Sequence, residues 1–127
     1  MGLVQLMAVA GRFELAGLFN DAMDAYTEGE RVLGRTWVWP AQLQVAYTRC
    51  GAASRLRRLL CDRVLYEAAN GATFWRYAGS LAAYEEFLAD LLARLDEVAD
   101  ASMAGVNAFA ELENPLYRVG GVYHVRD

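Results

Sequence analysis

The sequence predicts an all-α protein: a helical bundle of three to five helices around an antiparallel helical hairpin, closed by a short extended or β-hairpin C-terminal tail. Three observations carry this. Tyr77, Leu81, Tyr84, Leu88, Leu91, Leu95 and Val98 recur at alternating steps of four and three, the seam of a helix packed in a bundle. Upstream, a second helical stretch opens at Pro40, well suited to a first turn, and stops at Asn70-Gly71, well suited to a left-handed C-terminal cap. Apolar residues make up 56% of the 127 positions and charged ones 22%, which places the chain far from disorder and within one domain by length.

Taken in order, residues 1–34 form an N-terminal helical segment, one helix or two, with Asn20 and Asp21 as internal caps. Asp21, Asp24 and Glu28 make an acidic stripe opposite Ala22, Met23 and Tyr26. The hairpin follows, with arms over 40–70 and 73–112. Gly51 interrupts the first arm, and Ser54 can cap a second piece bearing Leu56, Leu59, Leu60 and Val64. Thr73 caps the second arm. A straight helix from Thr73 to Leu112 would be about 60 Å long, so a break near Gly105 is expected. From residue 114 the character changes: Pro115 ends the helix, and Gly120-Gly121 separates Leu-Tyr-Arg-Val from Val-Tyr-His-Val as a short hairpin would.

The basic residues are all arginine, 12 of them, and the net charge of −4 argues against nucleic acid as a partner. The charge is unevenly spread. Residues 35–63 hold six arginines and one acid; residues 85–113 hold eight acids and one arginine. Arg55, Arg58 and Asp62 share one helical face, and counting outward from a turn near Gly71 sets 55–58 opposite 84–88. Two segments of opposite charge are therefore expected to face each other rather than an outside partner. No run of about 18 apolar residues exists, so no membrane association is expected, and the default location is cytoplasmic.

Chemistry is scarce. His124 is the only histidine, and Cys50 and Cys61 lack the paired spacing of a zinc site, so no metal and no cofactor is expected. On one continuous helix the two thiols would lie about 16 Å apart, beyond disulfide reach. With no lysine, Schiff-base chemistry is excluded. Arg118 and His124, separated by five residues, resemble the arginine–histidine motif of HEPN-domain ribonucleases, which would imply RNA cleavage by that pair. In that family the pair sits on a helix, whereas Val-Gly-Gly-Val intervenes here. Tyr123 to Asp127 is similar to the terminal signal of secreted helical hairpins with a tryptophan-glycine turn, but this hairpin turns at Asn70-Gly71 instead.

Two aromatic clusters remain, Trp37 and Trp39 before Pro40, and Trp75 and Tyr77 after the turn. A residue before proline is biased to extended backbone, so Trp37 and Trp39 should share one side with Val38 opposite. If the first arm is straight, the tryptophans cap the core far from the turn. If it folds back near Gly51, Trp37, Trp39, Trp75 and Tyr77 line a pocket for a flat apolar ligand. The lid is favoured. The leading expectation is a non-enzymatic protein–protein interaction module, inhibitor or immunity-type proteins included, self-associating as a homo-oligomer through surplus apolar surface. A small apolar-ligand binder is the alternative, and a HEPN-like ribonuclease the distant one.

Overall fold

The computed structural model describes residues 2–34, 38–51, 54–69 and 77–103, together with Pro115 and Tyr123. Six helices occur among them: α1 (Gly2–Arg12), α2 (Ala16–Val32), α3 (Pro40–Arg49), α4 (Arg55–Ala69), α5 (Ala78–Ala83) and α6 (Glu85–Met103). No strand occurs among the described residues. The expected turn at Asn70-Gly71, the Thr73 cap, the break near Gly105 and the Gly120-Gly121 hairpin lie outside them.

The N-terminal segment divides at Phe13–Leu15, not at Asn20-Asp21. Here α1 ends in a left-handed C-terminal cap: Leu15 N donates to the Ala10 carbonyl (2.8 Å) and Glu14 N to that of Gly11 (3.2 Å). The left-handed position is Glu14, at φ +57°, where glycine would meet no steric cost. Glu14→Gly is expected to raise stability by about 1 kcal/mol, read as a higher urea midpoint at unchanged slope. In α2 the expected division of faces holds, with Ala22, Met23 and Tyr26 buried and Asp21, Asp24 and Glu28 exposed.

Pro40 opens α3 after an extended Trp39 (φ −71°, ψ 137°), the conformation a following proline favours. The first hairpin arm is not continuous. It breaks at Cys50–Ser54, and the Ser54 hydroxyl takes the Leu56 N–H at 3.2 Å, capping α4 as its position suggests. Arg57 closes this corner from the other side. Its guanidinium donates to the Ala46 carbonyl (3.1 Å) and the Cys50 carbonyl (2.6 Å), supplying donors to the C-terminal end of α3.

Helix α4 is the axis of the molecule, packed by α1, α3 and α6. Leu56, Leu59, Leu60 and Val64 are fully buried, but so, nearly, are Arg57, Asp62, Arg63 and Glu67. Arg57, Asp62, Arg63 and Glu67 are thus held inside with partners from outside α4, whereas Arg58 turns to water.

The second arm is also broken, at Tyr84. That residue is extended (φ −126°, ψ 99°), gives its N–H to the Ser80 carbonyl and ends α5. Glu85 and Glu86 then occupy the first turn of α6, where carboxylates oppose the positive end of the helix dipole. The break rotates the helix frame. Phe87, Leu91 and Val98 face inward, whereas Leu88, a seam position in the continuous pattern, is 44% exposed.

The relation of α4 to α6 corrects the antiparallel expectation. Arg57 pairs with Glu86 and Asp62 with Arg94, so numbering rises together along the two helices. They run in the same direction, although the expected juxtaposition of 55–58 with 84–88 holds at one end. The chain returns along α5. Tyr77 meets Glu67 near the end of α4, and Tyr84 stacks on Tyr47 (6.2 Å between centroids), which itself contacts Cys61 earlier in α4.

Candidate functional site

Of the four aromatics expected to bind a ligand, Trp37 and Trp75 lie outside the described residues. Trp39 is 44% exposed and Val38 is fully buried, so the extended segment alternates as its backbone requires, with the valine inward. Tyr77 is 1% exposed. Its hydroxyl accepts from Val38 N (3.1 Å) and donates to Glu67 Oε2 (2.7 Å), tying the segment before α3 to the end of α4. Tyr77 and the tryptophan segment do come together, but with Tyr77 as a strut beneath Val38.

The ionisable side chains of the interior are tied to one another. On one flank of α4, Arg63 Nη1 donates to the Tyr26 hydroxyl (2.6 Å) and to Glu30 Oε1 (3.2 Å). Tyr26 donates in turn to Gln42 Oε1 (2.9 Å), and Gln42 Nε2 to Glu30 Oε1 (3.3 Å). On the other flank, Asp62 accepts from Arg94 Nε and from the Tyr123 hydroxyl, each at 2.7 Å. Arg94 also pairs with Glu97. Asp62 and the neighbouring Glu97 hold the Arg94 guanidinium above its usual pKa, against the opposing effect of its partial burial. Of the expected matching between a cationic and an anionic segment, only Arg57–Glu86 occurs among the described residues; Asp62–Arg94 joins the minority charge of each segment, and Arg63 pairs with Glu30 of α2 instead. Arg57 rather than Arg58 faces the acids; Arg58 is exposed.

The thiols and phenols of this interior are poor nucleophiles. Burial pushes the Cys61 thiol up to about 12, with the Tyr47 hydroxyl at 3.1 Å from its sulfur. Burial likewise raises Cys50, Tyr26 and Tyr47, the last donating to Asp90 Oδ2 at 2.7 Å. Both cysteines are free, Cys61 buried and Cys50 half-buried. No group of acidic, histidine or cysteine side chains among the described residues could hold a metal. Arg118 and His124 lie outside those residues.

Two surfaces stand out that the spacing patterns did not single out. The first is the outer face of α1, where Leu3, Leu6, Val9 and Phe13 are exposed, Phe13 to 66%. Phe13 N still donates to the Val9 carbonyl (3.1 Å), so the helical spacing runs through it. Val4, Met7, Ala8 and Ala10 fill the inner face, leaving α1 apolar on both sides. The signal is readable in "GLVQLMAVAGRF", whose long polar side chains are Gln5 and Arg12 alone. The second is a groove between the α1–α2 and α3–α4 corners, which no local pattern can reveal because it joins residues 7–19 to residues 49–55.

Compared with protein-family models, with curated proteins and with solved structures, the chain finds no match in any of the three. No helix among the described residues is long and apolar enough to cross a membrane.

Proposed function

We propose that this chain is a non-enzymatic interaction module that self-associates through the outer face of α1. One observation carries the reading: a helix that is apolar on two faces belongs in an interior, yet Leu3, Leu6, Val9 and Phe13 face outward. That face carries no formal charge, so two copies can meet across a two-fold axis without burying one. At about 16 Å, α1 alone is short for an interface of roughly 800 Å² per partner. Leu18, exposed in the first turn of the adjoining α2, extends it. Protonated, desolvated thiols and mutually paired interior charges favour a binding role over catalysis.

The double variant Leu6→Glu/Val9→Glu tests this. Sedimentation of the wild-type chain is expected to show a dimer, and that of the variant a monomer with unchanged helical circular dichroism. A wild-type chain that stays monomeric at the highest soluble concentration overturns the reading. The apolar-ligand alternative built on Trp37, Trp39, Trp75 and Tyr77 draws support from the exposure of Trp39 only, since Tyr77 is sealed.

A further inference from the structure

The groove between the two corners has a volume of about 890 Å³, within the roughly 300–1,000 Å³ of small-ligand pockets. Its open apolar lining is Gly11, Leu15 and Ala16, with Met7, Ala10 and Phe19 buried beneath. Arg12, Arg49 and Arg55 line it as well, against the single carboxylate of Glu14. Elsewhere the interior and inter-helix arginines are matched: Arg57 to Glu86, Arg63 to Glu30, Arg94 to Asp62. Arg12, Arg49 and Arg55 make no ion pair with any described residue.

The local backbone field has the same sign. α4 begins at Ser54–Arg55 on this rim, and the positive end of its dipole points there. The opposing negative end of α3 is offset by the Arg57 guanidinium on the Ala46 and Cys50 carbonyls. The rim therefore keeps a surplus of positive charge beside an apolar trough. We infer that this groove binds an amphiphile with one anionic head, a free fatty carboxylate. Its chain lies over Leu15 and Ala16 beside Cys50, and its head meets the guanidinium groups of Arg49 and Arg55. A bidentate arginine–carboxylate contact suits such a head, and the apolar floor provides no partners for a polar body.

Cys50 lines the groove and serves as the reporter; Cys61 is buried and its thiol stays protonated. Decanoate below its micellar concentration is expected to slow alkylation of Cys50 saturably, and decanol of the same length to protect far less. Each methylene added from octanoate to decanoate should tighten binding about fourfold. Arg49→Ala/Arg55→Ala is expected to weaken decanoate at least tenfold while leaving decanol unchanged.

Gly11→Leu provides a blocking variant that keeps the helix. Gly11 has an ordinary helical backbone, and a Cβ there would meet nothing nearer than Phe19 Cδ2 at 4.0 Å. Leucine propagates a helix better than glycine, and its side chain would occupy the trough. It should abolish protection of Cys50 with the circular dichroism retained. Equal protection by decanoate and decanol overturns the inference, as does protection that survives either variant, or none at all in the wild type. The Leu6→Glu/Val9→Glu chain should still bind decanoate, because Leu6 and Val9 do not line the groove, so this outcome is separable from that of the self-association experiment.

Discussion

Arg63→Ala is expected to cost about 3–5 kcal/mol, the range for removing one partner of a buried ion pair. That is a large share of the 5–15 kcal/mol by which domains are stable, so the variant should be wholly or largely unfolded near room temperature. The size follows from burial: the side chains of Arg63 and Glu30 are 3% and 4% exposed. Without the guanidinium, the Glu30 carboxylate loses its counter-charge in a low-dielectric interior, and the Tyr26 hydroxyl loses a donor. Urea unfolding of Arg63→Ala beside Arg63→Met/Glu30→Leu separates pairing from packing. The double variant removes both charges and fills their volume, so most of the loss should be regained. A single variant within 1 kcal/mol of wild type would mean that water reaches this site.

Phe87→Ala is expected to cost about 3–5 kcal/mol by leaving a cavity, whereas Leu88→Ala should stay within about 0.5 kcal/mol. Phe87 is fully buried, its ring 5.3 Å from that of Tyr47, while Leu88 is 44% exposed. Tyr47 in turn lies under the Arg57 guanidinium, 4.5 Å from its centroid, so the cavity would open beneath the clamp on the α3–α4 corner. Paired thermal melts read the difference directly. The continuous seam through Tyr77 and Val98 gives the opposite ranking, because it places Leu88 inside.

The contrast between those two positions shows how much of the molecule is legible in its sequence. Features set by a residue and its immediate neighbours are readable. Trp39-Pro40 forces an extended residue and a helix start, Ser54 caps α4, and the two faces of α2 divide as their spacing requires. The break at Tyr84 lacks proline or glycine. It follows from Tyr84 stacking on Tyr47, a contact 37 residues away, with the Glu85-Glu86 pair as the one local sign of a helix start. Once that frame turns, Phe87 replaces Leu88 inside. Assigning Arg55 and Arg58 to the paired face fails for a related reason. A helix wheel puts every charge on the wet side, but α4 is buried on the flanks that carry Arg57 and Arg63, and of the two residues assigned to pairing Arg58 is the exposed one. Among the described candidate aromatics, Val38–Trp39 and Tyr77 come together through a hydroxyl bridge, which depends on a fold-back that no local spacing encodes.

The position of α4 in the chain bears on how the protein can be assembled. Its Arg63 is answered by Glu30, which the ribosome releases earlier, but its Asp62 waits for Arg94 and for Tyr123, 61 residues further on. A nascent chain that has emerged only through α4 lacks both of the partners that hold this carboxylate in the finished fold, Arg94 and Tyr123. Assembly is therefore a late, concerted event, and a stalled or shortened translation product ending before Tyr123 would be prey to proteases.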